Sequence, residues 1–457
     1  NKLEDPTAKY IIDPLKKQLE ALEYIGLSYL TLNRVTTTLS GGEAQRLKLI
    51  RHLNSSLSDL VYIIDEPSVG LHPEDIAKIN EILKSLKEKG NTVLIVEHDP
   101  DVIKEGDYII DMGPGSGKNG GEITFEGTYN ELLSSNTSTG NALRNKHNLK
   151  ENIREANHFY NIGPVTQNNL NNVKTSIPKH VLTVLTGVAG SGKSTLVKAG
   201  FENNDHTIFI DQKAVQGSNR SNLLTYLGVF DSVRSYFSKE TGLNKAMFSY
   251  NSKGACPNCG GKGYIKTELA FMGDFSQTCE VCHGKRYKQE VLDATIDGYS
   301  IADVLNLTVD EGIIFFDKKN DIKSKLQSVS KTGLNYMSLG QPLSTLSGGE
   351  IQRVKLGQHL DEEIKNSIFI FDEPTTGLHE SDIPILMECF DDLIDQNNTV
   401  ILIEHNLSMM CEADWIIDVG PGPGLDGGKV QFSGTPKNFI DSSETLTSKH
   451  LKRYIKQ

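Results

Sequence analysis

No apolar run in the sequence approaches the length needed to span a bilayer, which excludes an ordinary membrane helix. Nor does the chain start with the basic, apolar and small-residue succession of a secretory signal. Positive charge is in deficit, with Lys+Arg 47 against Asp+Glu 59 and a net charge of -12. No chain-wide field therefore draws the protein to nucleic acid, and such a role needs a local basic surface. Cysteine is scarce. Four of the six, Cys256, Cys259, Cys279 and Cys282, crowd into one stretch, while Cys389 and Cys411 stand alone and read as small buried residues. Without a secretion signal, that distribution favours a metal site in a reducing, cytoplasmic compartment over a disulfide framework. What remains is the balance of a globular protein, 37% apolar and 23% charged, and 457 residues are too many for one ordinary domain. The first residue is Asn1 rather than Met, so the chain is expected to be a fragment, or the ordered part, of something longer.

The chain repeats itself. "TLSGGEAQRLKL" (38–49) returns as "TLSGGEIQRVKL" (345–356), "VYIIDEPSVGLH" (61–72) as "IFIFDEPTTGLH" (368–379), and "NTVLIVEHD" (91–99) as "NTVILIEHN" (398–406). From Ser40 to Ser347, Asp65 to Asp372 and His98 to His405 the offset is the same, 307. "DMGPGSGKNGGE" (111–122) and "DVGPGPGLDGGK" (418–429) obey it too. Two copies of one half-domain are therefore expected.

Only one stretch has the spacing of a phosphate-binding loop. "GVAGSGKST" leaves four residues between Gly187 and Gly192-Lys193-Ser194, after a β-rich apolar run and before a helix-capable segment. The Gly115-to-Lys118 stretch fails: Gly113 is too close to Gly117, and Asn119 replaces the hydroxyl residue. It reads as a glycine-rich turn between strands. In the true loop, Gly187, Gly190 and Gly192 let backbone N–H groups turn toward phosphates, Lys193 reaches the β- and γ-phosphates, and Ser194, followed by Thr195, ligates Mg²⁺. "SIFIFDEP" ends a strand in two carboxylates, with Asp372 suited to Mg²⁺ and Glu373 to polarising a water. His405, after another apolar strand, suits a γ-phosphate contact, and Gln212, after "TIFID", a sensor of Mg²⁺ or the lytic water.

The "LSGGE-x-QR" stretches offer an anion the N–H groups of a helix start but no lysine. Together with the loop, Gln212, the Asp-Glu strands and the histidines, they resemble the ABC ATPases. That resemblance implies two ABC-type halves of P-loop α/β fold, with ATP sandwiched between the P-loop of one half and the signature of the other. ATP on Gly187–Thr195 would meet Ser40, Gly41 and Gly42. Ser347, Gly348 and Gly349, with Asp65, Glu66 and His98, would serve a second ATP. The P-loop for that second ATP would fall upstream of residue 1 at the repeat offset, so the first half is expected to be incomplete.

Between Gln212 and the second signature lies a long insertion with Cys256-x2-Cys259-x19-Cys279-x2-Cys282, the template of a closed four-thiolate zinc site. From Lys253 to Glu290 six Lys/Arg face four acids, a local excess in an acidic chain, and Lys262, Lys285, Arg286 and, upstream, Arg220 become candidate DNA contacts. With "DEP-x-x-GLH" in both halves, "CPNCGGKGY", "CHGKRY" and "IADVLNLTVDE" (301–311), the chain resembles the UvrA and UvrA-like ABC ATPases from about Asp13 to its end. Ala189 stands where that family commonly has Ser, and residues 211–222 depart from its usual run. The resemblance implies an ATPase with ATP, Mg²⁺ and Zn²⁺ that binds double-stranded DNA and detects distorted duplexes in nucleotide excision repair. It also implies a UvrB-type partner, a homodimer and no membrane association. Alternatives are a UvrA-like paralogue for resistance to DNA-binding drugs and a transporter-type ABC ATPase; a tandem translation factor lacks the cysteines. The expected segments are 1–60 and 61–150 for the first half, then 151–245, 246–360 with the zinc module, and 361–457 for the second.

Overall fold

The computed structural model describes residues 6–36, 41–53, 57–115, 117–145, 147–213, 221–269, 273–362 and 364–456. Ser40 and Arg220 lie outside them. The chain forms two compact units: Asn1–Gly115, Asn119–Asp211 and Ile364–Gln457 make the first, and Ser116–Lys118 with Gln212–Glu363 the second.

The first unit is built on near-continuous runs of β-branched and aromatic residues. "LTVLT", "TVILI" and "IFIFD" form the strands Leu182–Thr186, Thr399–Ile403 and Ile368–Asp372, and the first two are buried at every position. Such runs suit parallel strands covered on both faces. They are the centre of a six-stranded sheet in the order Lys429–Gly434, Trp415–Gly420, Leu182–Thr186, Thr399–Ile403, Ile368–Asp372, Thr207–Ile210. All neighbours are parallel except the hairpin partner Lys429–Gly434. An antiparallel pair, Phe159–Gln167 and Leu170–Pro178, closes one face, with Ile162, Val165 and Ile177 joining Leu196, Val197 and Ile401 in one core.

The first copy of the repeat lies in the same unit. Val61–Asp65 pairs in parallel with Thr92–Val96, and Ile109–Gly113 pairs antiparallel with Glu122–Gly127. The glycine-rich stretch thus falls between two antiparallel strands, as the sequence suggests. The helix Pro73–Glu88 packs Ile76, Ile79, Ile82 and Leu83 against Leu49, Ile64 and Leu71.

The second unit is mainly helical. The helices Phe230–Thr241, Asn320–Val329 and Gly348–Leu360 share a core of Phe237, Phe248, Leu326, Val329 and Val354, and a hairpin of Tyr264–Leu269 with Gly273–Thr278 separates the two cysteine pairs. Among the described residues, no helix is long and apolar enough to cross a membrane.

Candidate functional site

The strand Leu182–Thr186 delivers the chain to Gly187, whose φ is +129°. A side chain there would come 1.9 Å from the Val419 carbonyl oxygen, so the position admits glycine alone. Gly190 and Gly192 also have positive φ, and Gly192 caps the helix Lys193–Phe201. The first N–H groups of that helix have no intrahelical acceptor and face the loop, where the helix dipole adds its positive end. Lys193 is buried and donates its Nζ to the carbonyls of Gly187 at 2.9 Å and Val188 at 3.0 Å. Burial draws its ammonium down to about 8, with Glu373, Asp418 and Asp372 pulling the other way. The Ser194 hydroxyl is hydrogen-bonded to Asp372, and Lys198 Nζ lies 3.8 Å from Asp372 Oδ2. Thr195 Oγ1 accepts from Asn168 Nδ2 at 3.2 Å.

Asp372 ends its strand, and Glu373 then turns at φ +52°; in the first copy Asp65 ends Val61–Asp65 and Glu66 turns at φ +44°. A side-chain-bearing residue in the left-handed region is strained by roughly 1–3 kcal/mol, a cost that persists where the surroundings enforce the geometry. Burial, then the Asp372 and Glu404 carboxylates, push Glu373 up to about 7, and burial raises Asp372 as well. A carboxyl held near neutrality in a buried setting can take a proton from water. His405 is buried, and burial followed by Lys193 keeps its ring neutral far below the usual range. Its Nδ1 has no hydrogen-bond partner among the described residues.

Glu404 fastens these pieces together, accepting from Thr375 N at 3.1 Å and from His405 N and Asn406 N at 2.6 and 3.0 Å. The first copy repeats the device: Glu97 accepts from Ser68 N at 2.8 Å and from His98 N and Asp99 N at 2.7 and 3.1 Å. There His98 Nε2 also sits 3.5 Å from Glu66 Oε1, a contact that raises its pKa.

Residues of the first copy border the nucleotide loop. A side chain at Gly190 would touch the Tyr29 ring at 3.0 Å, and one at Gly70 would come 2.7 Å from Glu373 Oε2. Tyr29 donates its hydroxyl to Glu43 Oε1 at 2.7 Å, on the helix Gly41–Leu53 that Gly41 and Gly42 open. In the second unit the same pair recurs: Tyr336 donates to Glu350 Oε1 at 2.8 Å. Ser347 caps Gly348–Leu360 there, with Glu350 N donating to Ser347 Oγ at 3.2 Å and Ser347 N to Glu350 Oε2 at 2.8 Å, and Gly349 is buried in the first turn. Gln212 lies against Gly348, whose added side chain would be 3.3 Å from Gln212 Cβ and Oε1. The glycine-rich turns meet the same tyrosines, Gly424 against Tyr29 and Gly117 against Tyr336. Lys118 pairs with Glu311 at 2.8 Å, which satisfies its charge without any phosphate.

The four cysteines converge as their spacing requires. All four Sγ atoms lie within 4.8 Å of one another, with Cys256–Cys279 at 4.0 Å and Cys259–Cys282 at 3.7 Å. A tetrahedron of thiolates about 2.3 Å from a central zinc has edges of about 3.8 Å, so the arrangement fits the ion. The N–H of Cys282 and the Asn258 amide draw the Cys279 thiol down toward its thiolate. Gly263 N donates to Cys259 Sγ at 3.2 Å, as a metal-bound sulfur accepts. Lys262 and Lys285 are exposed on the two knuckles, Lys285 with Asp303 at 3.7 Å. The Arg286 guanidinium lies instead over the Tyr250 ring at 5.4 Å.

A family model described as "ABC transporter" matches residues 170–376. "UvrABC system protein A" of Clostridium perfringens is 43% identical over 97% of this chain and 51% of that protein, and its namesake of Aquifex aeolicus 42% identical over 98% and 53%. The crystal structure of UvrA2 from Deinococcus radiodurans superposes with a TM-score of 0.93 at 39% identity, covering 100% of this chain and 59% of that one. Along nearly its whole length the chain is similar to the UvrA-like ABC ATPases. It spans about half the length of the curated UvrA relatives it matches, and its fold is the α/β ABC fold of the UvrA-like structures.

Sequence reasoning named the loop, the carboxylates, the loop histidines and the cysteines. It missed Glu404 and Glu97, Tyr29 and Tyr336, and the histidines that end each GLH run. The signal was available, because every one of these pairs obeys the 307-residue offset, but their partners are remote in sequence and only the fold reveals them.

Proposed function

We propose that the chain is an ATP-dependent DNA-binding ATPase of the UvrA type that inspects duplexes for damage or distortion in nucleotide excision repair. The observation that carries this reading is an ABC nucleotide loop and a four-cysteine cluster in a chain 41–43% identical over its length to proteins named UvrABC system protein A. ATP lies along Gly187–Thr195, with Gly190 and Gly192 turning N–H groups to its phosphates and Lys193 moving from its carbonyls to the β- and γ-phosphates. Ser194 and Asp372 hold Mg²⁺, for which a hydroxyl and a carboxylate are suitable hard donors; the ion, when bound, neutralises phosphate charge. Glu373 takes the proton of the attacking water, His405 contacts the γ-phosphate, and Gln212 orients the water. Ser40, Gly41 and Gly42 cover this nucleotide, while Ser347, Gly348 and Gly349, with Asp65, Glu66 and His98, serve a second one. Cys256, Cys259, Cys279 and Cys282 hold a structural Zn²⁺. Lys262, Lys285, Arg286 and Arg220 face DNA phosphates, Arg286 through the part of its side chain not engaged with Tyr250. A UvrB-type repair protein receives the DNA, the protein acts as a homodimer, and its place is the cytoplasm.

The test is fluorescence anisotropy with a fluorescein-adducted duplex and the same duplex unmodified, in ATP and about 50 mM salt. Damage recognition through deformability rather than base contacts is expected to favour the adducted duplex by about threefold or more in any flanking sequence. Affinity should fall steeply with salt as phosphate contacts are screened. No measurable binding to either duplex sinks the DNA reading.

A further inference from the structure

The histidines ending the two GLH runs occupy equivalent places. His72 Nε2 lies 3.0 Å from Thr447 Oγ1, which donates to Asp418 Oδ1 at 3.3 Å. His379 Nε2 lies 3.1 Å from Thr139 Oγ1, which donates to Asp111 Oδ1 at 2.7 Å. Each histidine thus reaches out of one copy of the repeat and ends on a threonine and aspartate belonging to the other. The two aspartates open the "DMGPG" and "DVGPG" turns.

Proton positions follow from the partners. A carboxylate only accepts, so the single hydroxyl hydrogen of each threonine points at its aspartate. Glu74 N donates to His72 Nδ1 at 3.2 Å, and Ser381 N donates to His379 Nδ1 at 3.2 Å with the Ser381 hydroxyl beside the same atom at 2.7 Å, so Nδ1 is the accepting nitrogen in both rings. The hydrogen is therefore on Nε2 and is donated to the threonine. Burial, then His450 and Lys193, hold His72 down to about 3, and burial lowers His379 as well, so both rings stay neutral. Serine or asparagine can cap a helix start as these histidines do, but neither has a second donor far enough out to reach the threonine.

Two residues before each histidine, a glycine faces the other copy's glutamate. A side chain at Gly70 would come 2.7 Å from Glu373 Oε2, and one at Gly377 would come 3.5 Å from Glu66 Oε1. The histidine rings also stand edge-on to the other copy's loop histidine, His72 to His405 at 6.0 Å and 84°, His379 to His98 at 6.4 Å and 90°. We propose that His72 and His379 are reciprocal positioning residues. Each pins the Gly-Leu-His run of one ABC copy to the Thr–Asp pair of the other, so that the Glu–His pair of each site is set by a loop from the opposite copy. The kinetic consequence rests on the ATPase reading above; the clamp itself does not.

Thr447→Val removes the hydroxyl and keeps the shape. For the intact chain, kcat for ATP is expected to fall about five- to tenfold, the cost of unpairing a buried donor, with KM within about twofold. Thr447→Ser should recover most of the loss, His72→Ala on top of Thr447→Val should add little, and Thr139→Val should shift the nitrogen-15 signal of His379. Nitrogen-15 spectra of labelled histidines in the wild type should show His72 as the neutral Nε2–H tautomer at pH 6, and Thr447→Val should shift that signal. A Thr447→Val protein with wild-type kcat, or a serine variant no better than valine, overturns the positioning role. If the wild type shows no ATP turnover, the ATPase reading fails instead, and the spectra still decide: His72 as the Nδ1–H tautomer or as an imidazolium at pH 6 overturns the clamp.

Discussion

A histidine buried without charge makes acid a denaturant at one site. The folded pKa of His72, about 3, lies below the unfolded value near 6.5. The unfolded chain therefore binds the extra proton first, and stability is lost as pH falls below about 6.5. From pH 7.5 to 5 this one group should remove about 2 kcal/mol, with His450, Lys193 and Lys78 around it all opposing its protonation. His72→Asn, which keeps a cap, should show a shallower fall in the urea midpoint over that range; parallel curves for the two proteins contradict the assignment. At this scale the sequence was legible where chemistry is local. Lys193, Ser194 and the Asp372–Glu373 pair are adjacent to one another or to their loop, and motif spacing names them. His72 was not legible, because its role depends on Thr447 and Asp418, more than three hundred residues away and brought together only by the fold.

Elements show a different limit. "VYIID" and "IFIFD" have nearly the same pattern and both become strands, yet Ile63 is 74% exposed and its counterpart Ile370 is 1% exposed. Leu94 and Ile401 differ in the same way, at 51% and 0%. Pattern fixes that a segment is a strand; its neighbours fix whether both faces are covered. Ile370 lies between two paired strands of a six-stranded sheet, whereas among the described residues Val61–Asp65 pairs with one strand alone. The cysteine knuckles are the opposite case, since two short CxxC turns carry their own geometry and spacing was enough to place four sulfurs together. One zinc per chain is expected by elemental analysis after purification without chelator. Cys256→Ser should lose it and lower the melting temperature of the helical unit by several degrees, as the loss of a closed structural site implies. A metal-free wild type with unchanged melting contradicts the site.

For the whole molecule, the repeat is the organising fact. The two copies do not merely resemble each other; within the first unit each supplies contacts to the other's chemistry, Tyr29 and Gly70 to the nucleotide loop and Glu373, Gly377 to Glu66. A constant offset announced two copies but not that they interlock, because which copy's loop meets which site is a property of tertiary packing. The central claim is that Glu373, half-buried, strained at φ +52° and with its pKa pushed up to about 7, is the base of an ATP-hydrolysing site on Gly187–Thr195. Single-turnover phosphate release by the intact chain and its Glu373→Gln variant tests this most directly. The variant should bind ATP within about threefold of wild type and release phosphate about a hundredfold more slowly. Release at the wild-type rate would contradict the account.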